Sequence, residues 1–379
     1  MNQLSLYIHI PFCKSKCHYC SFNSYSGMEY LMPQYVGALI TEIRLRATGS
    51  HVSTIYLGGG TPSLLDDQSL GIILEACARS FVIAGDAEVT IEANPGTVAS
   101  DTMWRLRALG LNRLSLGVQS FDDARLRQLG RRHCAAEALQ AYELARAVFE
   151  NVSIDLLYGL PGQPLDEWRR DLETALSLAP DHISLYPLTV EEGTPLAEAV
   201  ASGRIVRPDP DVAADMYILA GEMLSAYEHY EISNWARAGK VCWHNLTYWR
   251  NLPYLGFGAG AHSFFQCRRF SNVLSPVEYV TRISGGVSAI DREEYIDRKL
   301  EMAETMILGL RLGYGVSLTQ FAQRFGDDIS SVYGDELSDL TELGLISRDE
   351  AMVRLTERGR LLGNQVFLRF LPKSDGASA

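Results

Sequence analysis

The stretch Leu4-Ser5-Leu6-Tyr7-Ile8-His9-Ile10-Pro11-Phe12-Cys13-Lys14-Ser15-Lys16-Cys17-His18-Tyr19-Cys20 joins two signals in one short piece of chain. Leu4, Leu6, Ile8 and Ile10 alternate with other residues at the period of a strand. Pro11 ends the run, and a loop follows in which Cys13, Cys17 and Cys20 stand in C-x3-C-x2-C spacing. Three thiolates in so short a loop suit a [4Fe–4S] cluster, whose fourth iron is then left to a ligand from outside the protein. Redox dithiols use C-x2-C instead. A structural zinc would need a fourth protein ligand, which only His9 or His18 could supply nearby, and spacing alone leaves that alternative open.

Outward from this loop the strand signal recurs. Ser53–Leu57, Glu88–Glu92, Arg113–Gly117, Val152–Leu157 and His182–Leu188 are short strand-like runs. Between them Pro33–Ala47, Gln68–Phe81, Ala135–Phe149 and Leu165–Leu178 carry apolar residues at helical spacing. Six strands alternating with helices imply parallel pairing through right-handed crossovers, and we expect an α/β protein built on a partial, open (β/α)6 TIM-like barrel. Barrel sites lie at the C-terminal ends of the strands, where this chain places its unusual sequences. The expected division is residues 1–230 as the barrel, 231–289 as an aromatic and glycine-rich connector closing over its mouth, and 290–379 as a smaller module. A long helix is expected over Asp211–His229. In the last part, helical runs at Arg298–Leu310, Ser317–Arg324 and Ser330–Leu343 precede strand-like Leu345–Ser347 and Met352–Leu355, the order of a winged-helix-like α+β module. The tail Lys373–Ala379 reads as frayed.

Composition narrows the function. With 379 residues, 47% of them hydrophobic, the chain can bury a large core. Neither a signal peptide nor an apolar stretch of membrane-spanning length is visible. Seven cysteines, an odd and small number, fit a reducing compartment, so a cytoplasmic protein is expected. The formal net charge of −12 opposes a nucleic-acid surface. Asp327, Asp328, Asp335, Glu336, Asp339 and Glu342 make the helices of the winged-helix-like module acidic as well, against DNA binding.

Polar residues and glycines recur where strands end. Gly58-Gly59-Gly60-Thr61-Pro62 follows the second strand, Glu92 ends the third and Gln119 follows the fourth. Asp155 lies in the fifth, Arg131 in Leu129-Gly130-Arg131-Arg132-His133, and Thr189 beyond the sixth. Taken singly, a glycine run is more often a tight turn and each polar residue as readily a cap, a turn residue or a solvated charge. A second constellation is Cys242-Trp243-His244-Asn245-Leu246-Thr247-Tyr248-Trp249-Arg250, followed by Gly256-Phe257-Gly258-Ala259-Gly260-Ala261-His262. Aromatic residues here could simply pack under a loop, and a histidine in such a place is more often hydrogen-bonded structure than a ligand.

The cysteine loop resembles that of the radical S-adenosylmethionine enzymes. The flanking Tyr7-x-His9-x-Pro11-Phe12 and Tyr19 are similar to the oxygen-independent coproporphyrinogen III oxidase family. The resemblance implies a [4Fe–4S] cluster on Cys13, Cys17 and Cys20, shielded by Tyr19, with S-adenosylmethionine chelating the open iron. Such a pair supplies a carbon radical when an electron donor reduces the cluster. It also implies that Gly60 and Thr61 meet the methionyl amino group, and that Tyr7, Glu92, Gln119, Arg131 and Asp155 hold the methionyl carboxylate and the ribose, with Thr189 on the adenine side. Charge-assisted pairing of Arg131 with a carboxylate fits that role.

The pattern His244-Asn245-x-x-Tyr248-Trp249 resembles one branch of this family, the haem chaperones, which implies haem as a further ligand near these four residues, with His262 and Cys242 as other candidate ligands. Phe22 stands where the oxidases have another cysteine, and Cys13 lies close to Met1, where they carry a long extension. The expectation is therefore a chaperone that binds haem and passes it to an apoprotein, one that could sit at a membrane. Decarboxylation of coproporphyrinogen III propionates, or another reaction on a tetrapyrrole, is the alternative.

Overall fold

The computed structural model describes residues 4–372. Its frame is a run of six parallel strands, β1 Leu4–Ile10, β2 His51–Gly59, β3 Val82–Ala93, β4 Arg113–Gln119, β5 Val152–Tyr158 and β6 His182–Pro187, hydrogen-bonded in that order. Helices α1 Met32–Leu45, α2 Asp67–Ser80, α3 Ser100–Ala108, α4 Asp123–Gln128, α5 Ala135–Arg146 and α6 Leu165–Leu178 make the crossovers. Alternation along the strands divides two surfaces. Leu4, Leu6, Ile8 and Ile10 of β1 join Leu114, Leu116, Ile154, Leu156 and the apolar helix faces in one large core. The opposite face is polar: Ser5, Thr54, Thr90, Ser115, Ser153 and Ser184 are all buried on the inside of the curved sheet. A barrel interior lined this way is suited to enclose a polar ligand rather than to pack against itself.

Two expectations are corrected. The helix read over Asp211–His229 ends earlier: α7 Pro195–Ala201 and α8 Pro210–Met223 are followed by strand β7 Glu228–Glu231, which pairs antiparallel with β8 Asn234–Ala236, itself antiparallel on β6. The segment expected to close over the barrel mouth instead extends the sheet at both edges. β9 Tyr254–Phe257 pairs parallel with β1, and β10 His262–Phe265, β11 Arg268–Asn272 and β12 Ile290–Tyr295 follow antiparallel, giving twelve strands. Between these edges α9 Trp243–Trp249 packs at the opposite end of the barrel from the cysteine loop, against Ser5 and Thr54 in the first halves of β1 and β2. It is a floor and not a lid.

After helix α10 Pro276–Ser284, the last part has the expected order: α11 Arg298–Gly309, β13 Val316–Ser317, α12 Leu318–Phe325, α13 Ile329–Glu342, β14 Ile346–Arg348 and β15 Met352–Leu355. The three strands form their own antiparallel sheet over a separate apolar core that includes Met306, Phe321, Leu337, Val353 and Phe370. The tail expected to fray, Lys373–Ala379, lies outside the described residues. Among those residues no helix is long and apolar enough to cross a membrane.

Candidate cofactor-binding site

Gly59 and Gly60 fasten the cysteine loop to the barrel. Gly59 has φ +116°, and a Cβ on Gly60 would stand 2.7 Å from the Phe12 carbonyl oxygen. This close approach lets the Gly60 and Thr61 amides donate to the carbonyls of Ile10 and Phe12, at 2.8 and 2.9 Å. The triple glycine is thus required by packing as well as open to a ligand. Cys13, Cys17 and Cys20 are free thiols. All three line one cavity of about 370 Å³ together with Tyr19, Gly60, Thr61, Glu92, Gln119, Arg131, Asp155 and Thr189. Each thiol has a polar neighbour: Cys13 Sγ lies 3.6 Å from Thr61 Oγ1, Cys20 Sγ 3.8 Å from Ser24 Oγ, and Arg131 donates to Cys17 Sγ at 3.5 Å.

The local histidines weigh against zinc. His9 is held at both ring nitrogens, by Tyr7 Oη at 2.9 Å and the Asn23 carbonyl at 2.8 Å, and burial pulls its pKa down to about 4. Exposed His18 uses Nδ1 on the Gln128 carbonyl. Among the described residues no three His, Cys, Asp or Glu side chains converge closely enough for a single ion. Three thiols that line one cavity suit a multi-iron group with an open iron.

Each polar strand-end residue has a defined setting. Tyr56 Oη donates to Glu92 Oε1 at 2.8 Å and the Gly59 amide to Oε2 at 3.1 Å, yet burial pushes the Glu92 pKa up to about 7. The Ser115 hydroxyl reaches both Asp155 oxygens, at 3.1 and 3.0 Å, and Ser153 adds another bond at 3.1 Å. Burial raises the Asp155 pKa despite them. Arg131 is held by the Gly117 carbonyl at 2.6 Å and by Asn94. Gln119 adopts φ +73° where the β4–β5 register shifts, a left-handed conformation that a non-glycine residue keeps only where its surroundings demand it. Tyr7 is placed differently from the expectation. It does not line the cavity: its ring stacks 6.3 Å from that of Tyr56 and lies 6.4 Å from that of His244, and its hydroxyl is bonded to His9.

The His244-Asn245-x-x-Tyr248-Trp249 residues do not share one open pocket. His244 is 1% exposed, with Nδ1 2.7 Å from Thr54 Oγ1 and Nε2 2.8 Å from Tyr248 Oη, and burial lowers its pKa to about 3. Both ring nitrogens are occupied, so in this arrangement His244 has no lone pair to give to iron. Trp249 packs under the Arg311 guanidinium at 5.4 Å. Cys242 is fully buried and its thiol is pushed up by burial, whereas His262 is exposed. Only Asn245 of the four reaches the cavity. The packing alternative describes His244, Tyr248 and Trp249 better than haem ligation does.

Arg113, Asn94, Ser184 and Tyr186 also line the cavity and were not anticipated. Arg113, Ser115, Gly117 and Gln119 alternate along β4, so a period-two reading of inward positions would have found Arg113 once the sheet was known to curve. Because both ends of this seven-residue strand line the cavity, it runs the depth of the barrel, roughly 20 Å at ~3.3 Å per residue.

A parallel β/α barrel with three free thiols at its mouth and buried carboxylates inside defines a radical SAM protein. Comparison agrees: the Radical SAM superfamily model matches residues 7–175 and the HemN C-terminal domain residues 296–362, and the chain belongs to the radical SAM superfamily. Relatives matched along most of its length carry the name heme chaperone HemW. That of Bacillus subtilis is 40% identical over 97% of this chain and 99% of its own, and that of Escherichia coli 42% identical over 68% and 69%. The mitochondrial radical S-adenosyl methionine domain-containing protein 1 of Mus musculus is 37% identical over 98% of this chain and 88% of its own. Among solved structures, the coproporphyrinogen III oxidase HemN from Escherichia coli, described as a radical SAM enzyme, superposes with TM-score 0.85 at 26% identity, covering 97% of this chain and 90% of that one.

Proposed function

We propose that this chain is a haem chaperone that passes haem to an acceptor protein and carries a [4Fe–4S] cluster with S-adenosylmethionine on the open iron. The observation that carries the cofactor part is the convergence of Cys13, Cys17 and Cys20 on one cavity with Glu92, Asp155 and Arg131. When bound, such a group supplies one-electron chemistry. In this reading Tyr19 covers the thiolates from solvent, while Arg131, placed between Cys17 and Asn94, faces the methionyl carboxylate. Gly60 and Thr61 would meet the methionyl amino group, and Glu92, Gln119 and Asp155 would accept from the ribose hydroxyls, with Thr189 on the adenine side. The chaperone part rests on the relatives named heme chaperone HemW, which match 36–42% of positions, and on Phe22 in the place of a fourth loop cysteine. The buried state of His244 directs the search for haem contacts away from the floor helix.

The structural likeness to HemN supports a second reading, decarboxylation of coproporphyrinogen III. Anaerobic reconstitution followed by parallel assays separates the two. The chaperone reading expects haem binding, transfer to an apoprotein and no catalytic conversion of coproporphyrinogen III with S-adenosylmethionine and reductant. Sustained formation of protoporphyrinogen IX would establish the oxidase instead.

A further inference from the structure

Arg113 opens β4 and is 2% exposed, among the largest fully buried side chains of the molecule. Its position follows from register: it pairs with Thr90 of β3, two residues before Glu92, and Ser115 pairs with Ser153 of β5, two residues before Asp155. Arg113 therefore lies one inward-facing step below Glu92 and two below Asp155, and all three line the same cavity. Its Nε has no hydrogen-bond partner, although it is buried. Glu88, the nearby acid that would be its natural partner, spends its oxygens on the N-terminus of α9, accepting from the Trp243 and His244 amides at 3.1 and 3.0 Å. A buried guanidinium without a dedicated carboxylate is expensive, and its charge acts on whatever acids share its low-dielectric surroundings.

We propose that Arg113 is a positioning residue whose buried positive charge favours the ionised forms of Glu92 and Asp155, in which both accept from the donor groups of the ligand. The inference rests on the reading that these carboxylates hold S-adenosylmethionine. The groups around them make Arg113 the cation that matters. Glu92 faces Tyr7, Tyr56, Tyr186, Tyr248 and Asp155, and Asp155 faces Tyr56, Tyr186 and Glu92, none of them positive. Burial raises both acids, and Arg113 opposes that rise at each. Arg131, the other cavity arginine, is bound to Cys17, Asn94 and Gly117 at the cluster end.

The test titrates S-adenosylmethionine by calorimetry into anaerobically reconstituted wild-type protein, Arg113→Met, Arg113→Lys and Glu92→Gln/Asp155→Asn, from about pH 6 to about pH 9. Wild-type affinity should decline as pH falls through neutrality. Arg113→Met should move that decline upward by about one pH unit or more, so that affinity is about tenfold weaker at neutral pH and recovers in alkali. Arg113→Lys should return the wild-type profile. A profile for Arg113→Met that runs parallel to the wild type, with equal loss at every pH, would overturn the proposal. Infrared spectra of ligand-free protein give an independent readout: at neutral pH Arg113→Met should show a stronger protonated-carboxyl band than the wild type, a band that Glu92→Gln/Asp155→Asn lacks, and a band no stronger than the wild type's also overturns it. If the carboxylates are not ligand contacts, Glu92→Gln/Asp155→Asn binds normally while the band still appears, which separates failure of the binding reading from failure of the Arg113 assignment. Should Arg113→Met not fold, Arg113→Gln serves in both measurements.

Discussion

At the scale of residues, the cysteine loop and the acids behind it make different demands. Alanine at Cys13, Cys17 and Cys20 together should abolish a reconstituted cluster, while alanine at Cys77, Cys134 or Cys267 should not. Iron and sulfide analysis with visible absorption decides this, and four irons retained in the triple variant would remove the loop from the assignment. Arg131→Ala should weaken S-adenosylmethionine binding by about 1.5–3 kcal/mol, the range of a charge-assisted hydrogen bond, while the cluster persists. Because Arg131 also ties Asn94 to the Gly117 carbonyl, calorimetry should be run beside thermal unfolding. Unchanged affinity in a folded variant would place the carboxylate elsewhere. The cysteine loop and the glycine run stood out in the sequence because thiol spacing and consecutive glycines carry local meaning, whereas Arg131 was singled out only through the family resemblance. Arg113 and Asn94 were not, since a charge at a strand's first residue looks like a boundary until the strand is known to border an enclosed interior. Tyr7, expected at the ligand from the resemblance, does not line the cavity and has its hydroxyl on His9, a partner that no local pattern announces.

At the scale of elements, the parallel strands and several helices could be read from period alone. The expected Leu165–Leu178 is α6 to the residue, and Leu4–Ile10 is β1. Short α4 and α7 escaped because six or seven residues hold too few turns to show a period. The role of α9 could not be read because a helix of seven residues rich in aromatics looks the same on a surface as in a barrel. In the structure it is stitched to the strands by the buried chain Thr247–Ser5–Thr54–His244–Tyr248. His244→Ala should therefore leave the Thr54 and Tyr248 hydroxyls without their partner and open a small void. The expected cost is about 2–4 kcal/mol in denaturant unfolding, with normal haem affinity in the remaining folded protein. An altered Soret band with unchanged stability would restore His244 as an iron ligand.

At the scale of the whole molecule, the floor helix is also where the C-terminal module attaches. Arg324 of α12 donates to the carbonyls of Arg250 and Asn251, just past α9, at 3.2 and 2.8 Å, and to Glu301 of α11 at 2.6 Å. Asn251 reaches Thr305 of α11 at 3.2 Å, and Arg311 lies between Trp249 and Phe367 of the module core. The order of helices and strands in the module was legible, but this attachment was not, because contacts between distant segments leave no local pattern. Such joined surfaces couple unfolding: a module held to the barrel by several partly buried contacts should melt with it. The chain is expected to unfold in one cooperative transition. Arg324→Ala strips three acceptors of their shared donor at a partly buried joint and should lower stability by about 1–3 kcal/mol. If attachment also holds α9 in place, the same substitution should weaken S-adenosylmethionine binding through Asn245, which lies on the cavity floor although no residue of the module touches the cavity. Calorimetric unfolding and ligand titration on Arg324→Ala test both links. An unaltered melting profile would show that the joint contributes nothing to stability, and lowered stability with unchanged affinity would show a module that braces the barrel without shaping its cavity.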